Sequence, residues 1–330
     1  MAIIATEKVL TLDYWKYAYQ LKPGDYVFNQ NGKLVKIKLV QEYRADSCYE
    51  VMFDDYLTAS GDIHLGFMCE TPKYRNRLLT YKGVHKFRRP LKHFAVQDLL
   101  ETPLVNKINN KLYSVPTTKP LQLPHQDLPV PPFVFGFWFF ARGAHSRLTA
   151  PKEVFDFVTT KLKDYGYKLK FGRMQPNGER DFKITPSIES QLAPNIPKSL
   201  PNNYLLASEE QRVELLSGIL CAKGRQYSEK TDKFRITSKH LGTITLIQGL
   251  VESLACRTRI RGDEYKKNYV LFFKSRSKLL PNQISPPVKV HHARRYITSI
   301  TPIPGQSCVH IETDGEDSTI LVGEGFIPCS

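Results

Sequence analysis

Two stretches of this chain are written to one nine-residue plan: FGFWFFARG at 135–143 and LSGILCAKG at 216–224. Each is an apolar run that closes on a base and a glycine, Arg142-Gly143 and Lys223-Gly224. The segments downstream of them repeat as well. After the first come an amphipathic helical stretch at 152–165 and the strand-like segments YKLKFGRM and RDFKITPS. The second is entered through Ser208-Glu209-Glu210 and leads into strands, a helical stretch near 239–254 and a hairpin at 258–274. Helix, strands, helix, strands, written twice, is the mark of internal duplication. It predicts a pseudo-two-fold unit with the two apolar helices packed against each other at its centre.

The flanks have another texture. From Ile3 to about Phe67, short alternating segments are punctuated by Lys22-Pro23-Gly24-Asp25 and Asn31-Gly32, turn formers because Pro fixes φ and Gly supplies φ > 0. This half reads as all-β, and β texture returns after Pro281. Pro-rich 120–131 predicts a linker, since each Pro removes a backbone donor and biases its predecessor to extended geometry. The expected organisation is β at 1–119, a linker at 120–131, the duplicated unit at 132–280 with repeats of about 132–200 and 201–280, and β again at 281–330.

A formal charge of +15 points to a polyanion, with nucleic acid well ahead of an acidic membrane surface because no basic amphipathic helix stands out. Residues 73–92 gather bases among aromatics, Arg88 and Arg89 included, as a phosphate-contacting strip or a solvated charged face. The six scattered cysteines offer no CxxC pair and no zinc spacing, which fits a reduced intracellular setting, cytoplasmic or nuclear. No apolar stretch approaches the ~20 residues needed to span a bilayer, so no membrane partner is expected.

The two nine-residue stretches resemble the LAGLIDADG signature of homing endonucleases, and YLLASEEQRVELLSGILCAKGRQYSEKTDKFRITSKHL is similar to the second endonuclease repeat of intein-encoded members. The flanks resemble the split halves of the intein splicing fold, called Hint. AIIATEKVLTLDYWKYAYQLKPGDYVF is similar to its opening block, CYEVMFDDYLTASGDIHLGF to the block ending in the activating histidine, and SCVHIETDGEDSTILVGEGFIPCS to the closing pair. The resemblance implies an α+β chain: an all-β Hint domain assembled from both termini, with an inserted pseudo-two-fold LAGLIDADG α/β domain.

Residue by residue, what the resemblance implies is uneven. Splicing in that family starts from a Cys or Ser nucleophile, aided by a histidine, and ends at a His-Asn pair. The nucleophile position falls on Ala2, the activating histidine on His64 and the penultimate-His position on Ser330. A variant class uses a Cys that lines up here with Cys308; its other two markers fall on Gly66 and Cys329, which depart from the pattern. Cys308 also reads simply as a buried small apolar residue.

The carboxylates that hold metal for DNA cleavage fall on Arg142 and Lys223, or on Ala141 if the first motif shifts by one. None of these ligates a cation, so Mg²⁺ binding is expected to be lost, and no cofactor or metal site is expected. Two bases at helix C-termini suit the dipole and scissile phosphates, or else turn outward and do nothing. Alternation along the strands offers Lys170, Arg173, Lys183, Arg225, Lys233, Arg235, Arg259 and Arg261 as contacts to double-stranded DNA, with Lys239 at the next helix.

Three readings stay open: an intein-like element in a host extein protein, with splicing blocked and the endonuclease inactive; a free-standing, non-catalytic DNA-binding descendant; or a splicing-competent intein using Cys308. A monomer with internal pseudo-symmetry is expected in each.

Overall fold

The computed structural model describes the chain except residues 13, 73–90, 144–146, 177, 229–230, 264, 266, 276, 282–292, 317 and 324, and the side chains of 14, 225–228, 231 and 232. Most of the basic strip, with Arg88 and Arg89, therefore lies outside the described residues, as does the Arg225 side chain. The fold is α+β, every strand pair is antiparallel among the described residues, and the chain divides into two units, Met1–Leu121 with Val290–Ser330, and Gln122–Lys289. Among the described residues no helix is long and apolar enough to cross a membrane.

The first unit is built on a twelve-stranded sheet in which the two chain segments interleave, with Gly66–Cys69 and Lys92–Ala95 paired as a separate two-stranded sheet. Strand Ala2–Ile4 lies between Thr58–Gly61 and Ser307–Thr313, and Ser307–Thr313 pairs on its other side with the long strand Leu34–Arg44. Arg294–Pro304 sits between Ser47–Phe53 and Ser114–Pro116. Neither segment completes the sheet alone. Val9, Val27, Phe53, Phe67, Ile297, Val309 and Ile327 are buried in one core drawn from both segments, and a buried Arg295–Asp55 pair at 2.8 Å joins them again. The Asn31-Gly32 turn forms with Gly32 at φ +73°, where a Cβ would stand 2.2 Å from the Pro120 carbonyl oxygen; only glycine fits. Among the described residues the all-β expectation is relaxed by a 3-10 turn at Ala18–Gln20 and a short helix at Val96–Leu100. In the latter, Asp98 accepts from the Ala95 N–H at 2.9 Å and Val96 and Leu99 are buried, so a local cap and two core contacts are enough for one turn and a half.

The second unit is built on two helices, Pro132–Ala141 and Glu209–Lys223, which carry the nine-residue motifs. Proline at the start of the first is tolerated because its missing N–H has no partner there anyway. Ser208 caps the second, its Oγ accepting from Gln211 N at 3.4 Å. The helices touch at backbone distance. A Cβ on Gly136 would lie 2.4 Å from the Leu215 oxygen, and one on Gly218 would lie 2.1 Å from the Phe133 oxygen. Arg212, fully buried, fastens the second helix to the end of helix Leu241–Ser253, donating to Ser253 O at 2.8 Å and to Ala207 O at 2.9 Å.

Two sheets complete this unit, one per repeat: Leu148–Ala150, Arg180–Thr185, Lys168–Met174 in that order, and Gly224–Ser228, Thr231–Ser238, Asn268–Lys274, Thr258–Asp263. Phe182, Ile184, Phe234, Ile236, Leu271 and Phe273 point inward to a shared core with the signature helices. Residues 122–131, where the sequence suggests a linker, are tied to this unit: Gln126 N donates to Gln211 Oε1 at 2.9 Å and Tyr204 OH to Val130 O at 2.8 Å.

Candidate functional site

In the first unit, strand pairing sets Ala2 and Cys308 on neighbouring strands and Ser330 beside Gly66, two residues after His64. Ala2 stands opposite His310, and Ile4 opposite Cys308. The carbonyl that precedes Ala2, Met1 O, accepts from the Ile311 N–H at 2.9 Å. Ala2 itself is 1% exposed, and its own carbonyl packs so closely on Gly61 that a Cβ there would come within 2.3 Å. Ser330 exchanges two backbone hydrogen bonds with Gly66, at 2.8 and 2.9 Å. The His64 N–H donates to Asp62 Oδ1 at 2.8 Å, and its side chain is exposed.

Cys308 is fully buried, with its sulfur 3.6 Å from that of Cys48, and Ile4, Tyr43 and Ile303 pack around the pair. Burial pushes the Cys308 thiol up to about 12, and the Cys48 contact and the Asp62 charge act in the same direction. A thiol held so high is protonated, and the nucleophile in thiol chemistry is the thiolate. Asp62 is itself buried and accepts from the Tyr43 hydroxyl. Burial together with that bond holds the Tyr43 phenol above its ordinary value. Local sequence does not single out Cys48 or Tyr43. Asp62 lies two residues before His64 within the same block, a legible signal; a cysteine 260 residues away in sequence from its partner is not.

In the second unit the motif bases take different environments. Arg142 caps its helix and folds back on it, its guanidinium carbon 4.7 Å from the Trp138 ring centroid and 5.1 Å from that of Phe139. Trp138 in turn donates from Nε1 to Glu189 Oε1 at 3.1 Å. The cation is thus held over an indole face, a favourable electrostatic contact. Ala141, the alternative in the shifted frame, is half-buried in the last turn. Lys223 is exposed at the C-terminal end of the second helix, where a cation suits the dipole. Among the described residues no group of three His, Cys, Asp or Glu side chains is placed to hold a metal ion.

The outward faces of the two sheets carry the remaining bases. On the second sheet Arg235 and Arg259 stand opposite Phe272 from either side, and Arg225 continues the row beyond Arg235 in the backbone register. Lys233 pairs with Lys274, and Arg261 with Val270. Lys233, Arg235, Arg259 and Arg261 are exposed, while the residues Phe234 and Ile236 point into the core. Lys239 is exposed beyond the end of strand Thr231–Ser238. On the first sheet Lys170 pairs with Lys183. Together with Arg147 and Arg173 they line a cavity of about 380 Å³ whose wall includes Phe171. The acid in its lining, Asp181, is engaged by Thr149 at 2.9 Å and Gln175 at 3.0 Å. Each face is therefore strongly cationic.

No family model matches the chain. Over 95% of its length it is 23% identical to the replicative DNA helicase DnaB of Mycobacterium intracellulare, of which it spans 55%. Among solved structures it is similar to the MchDnaB-1 intein, at 19% identity, with 21% of this chain and 53% of that one covered and a TM-score of 0.20. It is also similar to the N-terminal LAGLIDADG domain of DUF199/WhiA, at 14% identity, with 44% and 76% covered and a TM-score of 0.33. In its near full-length sequence match, the order of its blocks and the glycine-crossed pair of motif helices, this chain is similar to intein-like proteins carrying a LAGLIDADG-type domain, and it spans about half the length of the curated relative it matches.

Proposed function

We propose that the chain is a Hint-type splicing fold, assembled from both ends, that carries a LAGLIDADG-derived unit binding double-stranded DNA without cleaving it. The observation that carries the reading is the exposed bases Arg235 and Arg259 standing across half-buried Phe272, with Lys233 and Arg261 exposed on the same face: cations on a regular lattice, matched to a polyanion. Cleavage would need a carboxylate from each motif helix, and the helices end in Arg142 and Lys223 instead. Arg142 packs over Trp138 and Phe139 yet is exposed, as Lys223 is, so both motif bases are open to a phosphate. In the first unit the nucleophile position is the inert Ala2, and Cys308 on the neighbouring strand is protonated at neutral pH. Splicing through either is blocked in this chain.

A salt titration tests the DNA reading. With about six phosphates neutralised, log K should fall with log salt at a slope near about −5 on duplex DNA. Arg235→Gln and Arg259→Gln should each reduce the slope by about one. A flat dependence, or no binding at low salt, rejects a DNA partner. Incubation with Mg²⁺ should leave the DNA intact; breaks that chelation abolishes would reject the loss of cleavage.

A further inference from the structure

The outer face of the second sheet is not uniformly cationic. Its central strand, Asn268–Lys274, turns Val270 and Phe272 outward, since Leu271 and Phe273 point into the core on the alternate positions. Both outward residues are half-buried, and each faces a base across the ladder: Phe272 faces Arg235 and Arg259, Val270 faces Arg261. The Arg261 guanidinium lies 5.6 Å from the Phe272 ring centroid. Neither residue belongs to the hydrophobic core, so an aromatic and a β-branched side chain stand half-buried at the middle of a basic face.

A duplex offers such residues one apolar feature within reach. In the major groove, thymine alone presents a methyl group, whereas guanine presents the acceptor pair that suits arginine. Neighbouring strands stand about 4.8 Å apart, so the row Arg235, Phe272, Arg259 spans about 10 Å, within a groove about 12 Å wide. Resting on the DNA-binding reading above, we infer that Val270 and Phe272 are specificity-determining residues that read thymine methyl groups, with Arg235, Arg259 and Arg261 anchoring the flanking phosphates or guanines.

The probe is a pair of duplexes, alternating dA·dT and alternating dA·dU, which differ only in that methyl group. The full chain should bind the thymine duplex about fourfold more tightly per methyl buried, the value of one apolar carbon removed from water. Phe272→Ala with Val270→Ala should bring the ratio to one without changing the salt slope, while Phe272→Leu with Val270 intact should keep it. Arg259→Gln should weaken both duplexes alike. Salt-dependent binding with a wild-type ratio of one would overturn the inference and leave the DNA reading standing; no binding to either duplex would overturn both. A ratio that survives the double alanine variant, which spares every core residue, would assign the reading elsewhere and reject these two.

Discussion

At the scale of single residues, the environment of a side chain outweighs its identity. Cys308 is a thiol in the right place by sequence, yet it sits fully buried against Cys48 in an apolar nest. All six cysteines are buried thiols. Burial pushes Cys221 up to about 12, as it does Cys308. An unfolded thiol ionises near about 8.5, so between there and about 12 the unfolded chain has released protons that the folded chain keeps. The thiols' contribution to stability is therefore complete below about pH 8.5 and is lost as pH rises toward 12. Urea midpoints should fall from about pH 9 upward, and Cys308→Ala should make that fall shallower; a midpoint that does not move would contradict the protonated, buried thiol. Native protein should likewise resist a thiol reagent at neutral pH that labels all six cysteines once unfolded.

At the scale of elements, the two motif helices depend on what glycine lacks. Close approach of backbones at Gly136 and Gly218 leaves no room for a methyl group, and the obstructing atoms are carbonyl oxygens that cannot swing aside. Gly218→Ala should destabilise the protein by about 1–3 kcal/mol through overpacking, read as a lower urea midpoint. Gly249, inside helix Leu241–Ser253, is the contrasting case: no atom lies within 4 Å of its missing Cβ. Alanine there should stabilise by about 0.5–1 kcal/mol, because it restricts the unfolded chain and fits the helix. If the two substitutions shift stability in the same direction, the glycine-crossed packing is wrong. These helices are legible in the sequence as apolar runs, and the Ser208 start is legible as a cap ahead of two acids. The short helices Ile188–Leu192 and Asn202–Leu205 are not, since five or four residues hold too little periodicity to separate them from loop.

At the scale of the whole molecule, the first unit is a sheet that neither end of the chain completes. Ser307–Thr313 fills the slot between Ala2–Ile4 and Leu34–Arg44, and Arg294–Pro304 fills that between Ser114–Pro116 and Ser47–Phe53. A fragment of residues 1–121 alone should therefore lack cooperative unfolding, and adding a fragment of residues 290–330 should restore it, monitored by circular dichroism through a denaturant series. A fragment 1–121 that unfolds cooperatively alone would show that the interleaved strands are dispensable.

The sequence by itself determined the duplication, the β flanks, the basic charge and the placing of Arg142 and Lys223 at the motif ends, because each is a matter of local pattern or composition. Alternation also places Lys233 with Arg235 and Arg259 with Arg261 on common strand faces, whereas a register shift after Phe171 breaks it before Arg173. Only the tertiary structure decided that Arg142 folds onto Trp138, that Cys308 meets Cys48, and that Phe272 stands between Arg235 and Arg259. Those are choices of partner, register and rotamer, and they are settled by packing between segments that local pattern does not connect.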